Sequence, residues 1–387
     1  MASPKMYQTI VLSGGGAKGP YGLGVLLALE KYHTKFQKNV EKIYCGSSVG
    51  ALNATIAAQG DLAVLDSLYS TIRTKDILGT DSPDVSIPKL VWAHLKNDPF
   101  HYFKNDALRK TIEKYVEFEK LSNAHLLITA TNYITGELET FYISSLMDDF
   151  VEQDKNLAPE RRRLAHYHRI SNQEELVNVL LATTAIPFYF PPVTIGDSKY
   201  VDGGIGNNTP FKQAAYFQRF LGLDDSVIFE PVIAVINDPS RFKIENSQHC
   251  DMSGVIRRTL DIFNNELMSE SHSSWERINF DLGIEEDRDR LIDSQISSFE
   301  SINKETRGEL AEKISNATST LKKKLPQKRF PLLVIRPNEI IHENILDFNP
   351  DKSKKIKRNG VASCLLLFYL QNWITRENQK DWDNEIS

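Results

Sequence analysis

The sequence predicts an α/β fold with a largely parallel central sheet and helices on both of its faces. Short apolar, β-rich runs recur along the chain, at residues 9–12, 42–45, 126–131 and 232–236. Helical patterns alternate with them, at residues 21–32, 51–58 and 176–181. Such alternation is typical of parallel sheets covered by helices. The chain has 387 residues, of which 41% are hydrophobic, so it can bury a large core.

Three stretches modify this plan. Residues 137–143 alternate in polarity after the turn pair Thr135-Gly136, which predicts an edge strand paired with the strand before it. Residues 77–103 contain three prolines and several aromatic residues, which indicates either a cover over a site or a surface insertion packed by its own aromatics. Residues 238–330 become helical and charged, with apolar residues at helical spacing over 252–267. We therefore expect helical insertions.

Composition narrows the class of protein. The net charge of -5 does not indicate binding to a nucleic-acid polymer, and it does not favour general attraction to anionic lipid. The three cysteines, Cys45, Cys250 and Cys364, are spaced like neither a disulfide framework nor a metal site, which favours a reducing compartment. The longest apolar run, residues 361–370, is too short to span a bilayer, and no secretory signal is visible. These features predict a cytoplasmic protein.

Ser48 is the candidate nucleophile. It is the central residue of Gly46-Ser47-Ser48-Val49-Gly50, which follows a predicted strand and precedes a predicted helix. A serine with glycines two residues away on each side suits a sharp strand-to-helix turn that exposes its hydroxyl above a helix N-terminus. Taken alone, the pentapeptide is also compatible with an ordinary turn. Cys45 is interpreted as a small apolar residue that ends the buried strand.

A glycine-rich loop follows the first predicted strand directly, with the sequence Ser13-Gly14-Gly15-Gly16-Ala17-Lys18-Gly19-Pro20. Uncovered amide groups ahead of a helix suit an anion, either a nucleotide phosphate or the oxyanion of an acyl transfer. A dinucleotide site needs an acidic residue about 20 residues on, at the end of the second strand, and that strand ends instead in Cys45-Gly46-Ser47-Ser48. A P-loop is excluded because Pro20 follows Gly19. An oxyanion hole is the better assignment.

Asp202 is the candidate base. It precedes Gly203 and Gly204, and an isolated Asp-Gly pair is most often a simple turn. Beside a serine turn and a glycine loop, however, an aspartate held between a predicted strand and glycines is suited to accept the serine proton.

These motifs together resemble the patatin-like phospholipases. The family's glycine loop, serine turn and Asp-Gly-Gly signature stand in the family's order at residues 14–19, 46–50 and 202–204, and residues 182–192 resemble the segment before its aspartate. The resemblance implies a patatin-like fold and a Ser48–Asp202 dyad without histidine, cofactor or metal. It also implies an oxyanion hole at Gly14, Gly15 and Gly16, with Lys18, Gly19, Gly46, Gly50, Gly203 and Gly204 as motif positions. Lys18 either closes the loop or attracts a phosphate headgroup.

The expected activity is hydrolysis of ester bonds in membrane glycerolipids, of the phospholipase A or lysophospholipase type, with transient membrane contact. Alternatives are an effector switched on by a small molecule, for example a cyclic nucleotide in bacterial anti-phage defence, a non-lipid serine esterase, or a binding protein without turnover. An α/β-hydrolase triad would need a histidine after the acid, and His342 has that position. We interpret His342 as a surface or capping residue, because only one predicted strand precedes Ser48, which is early for that fold.

We expect one domain over residues 6–378, with a catalytic core at 6–236 and a helical and closing segment at 237–378. The closing elements are a strand at residues 332–336 and a helix at 360–370, which resemble the end of bacterial patatin-like proteins. The basic run at 322–329 is interpreted as a solvated helix end, with lipid headgroup contact as the alternative. Residues 379–387 are expected to form a flexible tail.

Overall fold

A computed structural model describes residues 5–36, 38–82, 102–156, 164, 166–221, 227–239, 331–342 and 344–374. The strands in these residues are β1 (Lys5–Leu12), β2 (Glu41–Ser47), β3 (His125–Asn132), β4 (Leu138–Ile143), β5 (Tyr167–Arg169), β6 (Val193–Ile195), β7 (Ser198–Val201), β8 (Val227–Phe229), β9 (Val232–Val235) and β10 (Leu332–Ile335). The α-helices are α1 (Pro20–Lys35), α2 (Val49–Ala58), α3 (Leu62–Thr71), α4 (Thr74–Leu78), α5 (Asp106–Tyr115), α6 (Ser145–Lys155), α7 (Gln173–Thr183), α8 (Gly204–Asn207), α9 (Phe211–Leu221) and α10 (Pro350–Leu370).

The strands form one sheet in the order β10-β9-β1-β2-β3-β4-β5. All neighbours from β10 to β3 are parallel, and β8 runs parallel to the first half of β1. The exceptions are β4, which is antiparallel to β3, and β7, which pairs antiparallel with both the end of β3 and β6. The prediction of a largely parallel sheet is therefore confirmed.

Alternate side chains of the strands enter two separate cores, one on each face of the sheet. Ile10 and Ile128 belong to a larger core with residues of α1, α2, α7 and α10. Val11 and Cys45 belong to a second core with residues of α6 and α9. Helices thus cover both faces, as predicted. Cys45 is fully buried in β2, and burial raises the pKa of its thiol, in keeping with its interpretation as an apolar core residue.

The strand predicted at residues 137–143 is present as β4 and pairs with β3, as expected. The prediction that this strand lies at the edge of the sheet was wrong. β5 pairs in parallel with the outer side of β4, over Thr140–Tyr142. β5 has three residues, Tyr167–Arg169, and its sequence Tyr-His-Arg carries no apolar alternation. A strand this short and polar leaves no periodic signal to predict it.

The closing elements pack back on the core. α10 begins at Pro350, well before the predicted start at residue 360, with Asn349 capping its N-terminus through its side chain. Its first half is lysine-rich and has few apolar residues, so the apolar pattern predicted only its second half. α10 packs tightly on α1, because a Cβ atom at Gly360 would lie 2.1 Å from the carbonyl oxygen of Tyr21. No helix in the described ranges is long and apolar enough to cross a bilayer.

Several predictions fall outside the described residues. They are the helical stripe at residues 252–267, the basic run at 322–329, the tail at 379–387, Cys250 and most of the stretch at 77–103.

Candidate active site

Ser48 occupies a sharp turn between β2 and α2. Its φ is 53° and its ψ is -131°, a backbone conformation that is costly for a residue with a side chain. The turn is tight: a Cβ atom at Gly46 would lie 2.5 Å from the carbonyl oxygen of Gly50, and one at Gly50 would lie 2.2 Å from that of Leu12. Both glycines are therefore required by close backbone approach, and the strained serine is typical of a functional position.

The side chains of Ser48 and Asp202 are in direct contact. Ser48 Oγ donates a hydrogen bond of 2.7 Å to Oδ2 of Asp202, which follows β7. The other carboxylate oxygen, Oδ1, accepts the backbone N–H of Gly204 at 2.7 Å. Both side chains are buried. Asp202 is therefore held in place by its own turn while one oxygen faces the serine.

Burial raises the pKa of Asp202 to about 7, and the hydrogen bonds from Ser48 and Gly204 oppose this rise. A carboxylate with such a pKa is much more basic than an exposed aspartate. A base is most effective when its pKa lies near the working pH. The environment of Asp202 therefore suits proton transfer from Ser48 near neutrality.

The glycine loop lies beside Ser48, since a Cβ atom at Gly14 would lie 3.0 Å from Cβ of Ser48. Gly14 N–H donates to the carbonyl oxygen of Asn208 at 3.1 Å, so this amide is already engaged. The amides of Gly15 and Gly16 make no hydrogen bond to any described residue. Their φ angles, 154° and 55°, lie in the region that favours glycine. Of the three predicted donors, Gly15 and Gly16 are thus the two whose N–H groups remain available.

The remaining motif residues support the loop and the turns. The Lys18 ammonium, buried, donates to the Asp238 carboxylate, an arrangement that closes the loop. A Cβ atom at Gly19 would lie 2.1 Å from the Tyr69 hydroxyl oxygen, and one at Gly203 would lie 2.2 Å from the Thr129 carbonyl oxygen. These contacts explain glycine at both positions by lack of space.

Sequence reasoning missed two residues that hold the site. Thr183 accepts the backbone N–H of Ser48 at 2.9 Å and donates to the carbonyl oxygen of Thr129 at 2.6 Å. Asn237 donates to the carbonyl oxygens of Ser13 and Gly14. Asn237 directly follows the strand predicted at residues 232–236, so a polar residue at the carboxyl end of a parallel strand was the available signal.

Ser48 and Gly16 lie on the wall of a narrow apolar cavity of about 60 Å³. Its other lining residues come mainly from α2, α3, α5 and the segment before α10, among them Leu52, Ile56, Leu108, Ile112 and Leu346. A larger cavity of about 850 Å³ shares Leu68, Ile72 and Tyr115 with it but is lined by neither Ser48 nor the glycine loop. Ser48 therefore faces a surface suited to an apolar group.

His342 lies outside this arrangement. Its Nε2 is 2.8 Å from the carbonyl oxygen of Asp347, a local contact in the segment before α10. In the part of the chain that the structure describes, no histidine hydrogen-bonds to Ser48 or Asp202, and no group of three or more His, Cys, Asp or Glu residues is arranged to hold a metal ion. His94, His101, His249 and His272 lie outside that part.

Comparison with known sequences agrees with the motifs. The sequence model of the family described as Patatin-like phospholipase matches residues 10–215, more than half of the chain. The chain belongs to this family. All three motifs of this patatin-like protein lie inside the matched range, whereas Asn237, Asp238 and the segment before α10 lie beyond it.

Two curated relatives are similar to this patatin-like chain. Probable lipid hydrolase 463L of Invertebrate iridescent virus 6 is 24% identical over 221 residues, which cover 56% of this chain and 66% of that protein. A cGAMP-activated phospholipase of Pseudomonas aeruginosa (strain BWHPSA011 / Pa011) is 26% identical over 210 residues, which cover 53% of this chain and 54% of that protein. The matches thus span less than two thirds of either relative.

Among solved structures, VipD from Legionella pneumophila is similar at a TM-score of 0.33 and 14% identity, covering 95% of this chain and 67% of that one. A TM-score this low supports no conclusion about function.

Proposed function

We propose that this protein is a serine acyl hydrolase that cleaves ester bonds of membrane glycerolipids with a Ser48–Asp202 dyad. The observation that carries the proposal is the 2.7 Å hydrogen bond from Ser48 Oγ to Asp202 Oδ2 on the wall of an apolar cavity. The pKa of Asp202, about 7, fits the role of a base that acts without an imidazole.

In the first half-reaction, Asp202 takes the hydroxyl proton while Ser48 Oγ forms a bond to the ester carbonyl carbon. The carbonyl oxygen becomes an oxyanion, which the amides of Gly15 and Gly16 stabilise by hydrogen bonds, aided by the N-terminus of α2. Collapse of this intermediate breaks the bond to the alcohol oxygen. Protonated Asp202 gives its proton to the departing alcohol, and the acyl group stays on Ser48.

In the second half-reaction, Asp202 takes a proton from water as the water oxygen attacks the acyl-enzyme. The same two amides stabilise the second oxyanion. Collapse then returns the proton to Ser48 Oγ and releases a fatty acid, so the dyad is regenerated.

A lipid substrate is favoured by the site and by the relatives. The cavity at Ser48 is lined mostly by aliphatic and aromatic side chains, which suit an acyl chain. One relative carries the name lipid hydrolase and another the name phospholipase. Lys18 is already paired with Asp238, which favours the loop-closing role over a headgroup contact. We further propose that the protein is cytoplasmic and contacts the membrane transiently.

A second candidate is the same chemistry under the control of a small-molecule activator. It is favoured by the cGAMP-activated phospholipase that matches 53% of this chain. A non-lipid esterase would use the same dyad on soluble esters.

The test is incubation of the protein with mixed phospholipid vesicles, with and without cGAMP, and identification of the products by mass spectrometry. Release of fatty acid by wild type and none by Ser48→Ala is expected. Release only with cGAMP supports the gated form. Turnover confined to water-soluble esters points to the esterase, and no turnover together with no labelling of Ser48 by a fluorophosphonate overturns the proposal.

A further inference from the structure

Asn237 lies beneath the glycine loop at the end of β9. Its Nδ2 donates to the carbonyl oxygens of both Ser13 and Gly14, at 2.9 and 3.0 Å. Its backbone N–H donates to Ser13 Oγ at 3.0 Å, and the side chain is almost completely buried, with 3% of the residue exposed. The amide orientation is fixed, because two carbonyl oxygens require a donor. Asn237 thus holds the start of the loop through two hydrogen bonds from its side chain and one from its backbone.

The same side chain occupies the space next to Gly15. A Cβ atom at Gly15 would lie 2.9 Å from Cβ of Asn237. The loop therefore packs against Asn237 at Gly15, whose backbone N–H is available. The next residue, Asp238, accepts the Lys18 ammonium at the other end of the loop. The two consecutive residues therefore bind the chain on both sides of Gly15 and Gly16.

We infer that Asn237 and Asp238 are positioning residues that aim the amides of Gly15 and Gly16 at the oxyanion. The inference rests on the proposed function. Consecutive glycines have wide backbone freedom, so their N–H directions are not fixed by their own sequence. Donors stabilise a transition state only when they are oriented before the charge develops. Anchoring the carbonyl of Gly14 fixes the peptide plane that carries the Gly15 amide.

The experiment compares Asn237→Leu with a matched control, Gln8→Leu. Gln8 is equally buried and its Nε2 donates to the carbonyl oxygen of Pro231, just before β9, whereas Asn237 lies just after it. Both changes remove a buried amide bonded to a backbone carbonyl. We expect Asn237→Leu to lower kcat about 10-fold or more, part of the loss typical for one missing oxyanion donor, with KM within about threefold. Gln8→Leu should keep wild-type kcat.

A second readout separates positioning from general loosening of the fold. A trifluoromethyl ketone forms a tetrahedral adduct with the serine, so its inhibition constant should weaken by the same factor as kcat/KM in Asn237→Leu. Inhibition by the fatty acid product should not change. Asp238→Asn keeps an oxygen acceptor for Lys18 but removes the negative charge that pairs with it, at a less buried position. It should show a smaller loss in the same direction, and it provides the test if Asn237→Leu does not fold.

Unchanged kcat and unchanged ketone inhibition in the folded variants, with active wild type, would overturn this inference alone. A loss of kcat in Gln8→Leu equal to that in Asn237→Leu would assign both effects to stability and overturn it as well. Wild type that neither turns over esters nor labels at Ser48 would overturn the proposed function and this inference together.

Discussion

Ser48 and Asp202 are joined by a hydrogen bond of 2.7 Å although 154 residues separate them in sequence. The bond connects the turn after β2 with the residue that follows β7, and β3 lies between these two strands in the sheet. Because Thr131 of β3 pairs with Val201, the sheet register itself brings the aspartate to the serine. The two contacting side chains are thus placed by the ends of paired strands.

Ser48→Ala should reduce ester hydrolysis by about 1000-fold or more, since the hydroxyl forms the acyl-enzyme bond. Fluorophosphonate labelling should disappear as well, while circular dichroism stays unchanged. Ser47→Ala is the matched control, since Ser47 is buried next to Ser48 and its hydroxyl has no hydrogen-bond partner among the described residues. Hydrolysis by folded Ser48→Ala at the wild-type rate would contradict the assignment.

The rate should depend on pH through Asp202, whose pKa is about 7. Only the ionised carboxylate can accept the serine proton, so kcat/KM should rise about tenfold per pH unit below pH 7 and level off above it. The measurement is a pH profile with a soluble ester between pH 5 and 9. A profile that is flat across pH 6 to 8 would show that another group limits the reaction.

Asp202→Asn should remove activity and raise stability at alkaline pH. The folded state holds the Asp202 proton up to about pH 7, whereas the unfolded state loses it near 3.8, so the free energy of unfolding falls as pH rises between these values. Above pH 7 the buried charge costs up to ~4 kcal/mol, which asparagine avoids. Melting temperatures at pH 8 should be higher for the variant and should converge with wild type near pH 4. A lower melting temperature for the variant at pH 8 contradicts the raised pKa.

Gly16→Ala should lower kcat by about 100-fold, the usual scale for losing an oxyanion donor. The new Cβ atom would lie 2.2 Å from the carbonyl oxygen of Ile345, so the loop must shift. Gly60→Ala is the control: Gly60 also has a positive φ, 79°, but no atom lies within 4 Å of the added Cβ. It should lose about 1 kcal/mol of stability from backbone strain and keep its activity. Near wild-type kcat in folded Gly16→Ala would remove Gly16 from the oxyanion hole.

Replacement of histidines distinguishes a dyad from a triad. His342→Gln should keep near wild-type rates, because His342 bonds to the Asp347 carbonyl and not to Asp202. The other eight histidines, replaced singly, should behave alike. Collapse of activity in one folded histidine variant, with substrate binding preserved, would identify that histidine as the base.

The fold class followed from sequence because the central strands are buried on both faces and therefore form short apolar runs, as in β1, β2, β3 and β9. Strands of three residues, such as β5 and β8, carry too few positions for a periodic pattern. The pairing of Ser48 with Asp202 could be proposed from sequence because each residue stands inside a short motif. Asn237 was not, since its bonds to Ser13 and Gly14 cross more than 220 residues and depend on the pairing of β9 with β1.

The pairing of β1 with β9 also bears on where the molecule can be divided. Residues 10–215 match the family, yet a fragment cut at those bounds would lack β9, which pairs with Ile10, Val11 and Leu12. It would also lack the Ile345 carbonyl that accepts the Ala17 N–H at 2.7 Å. β1 would become an open, apolar sheet edge, which is prone to intermolecular strand pairing. We therefore expect that fragment to aggregate, and we expect a unit that covers this edge of β1 to extend through α10.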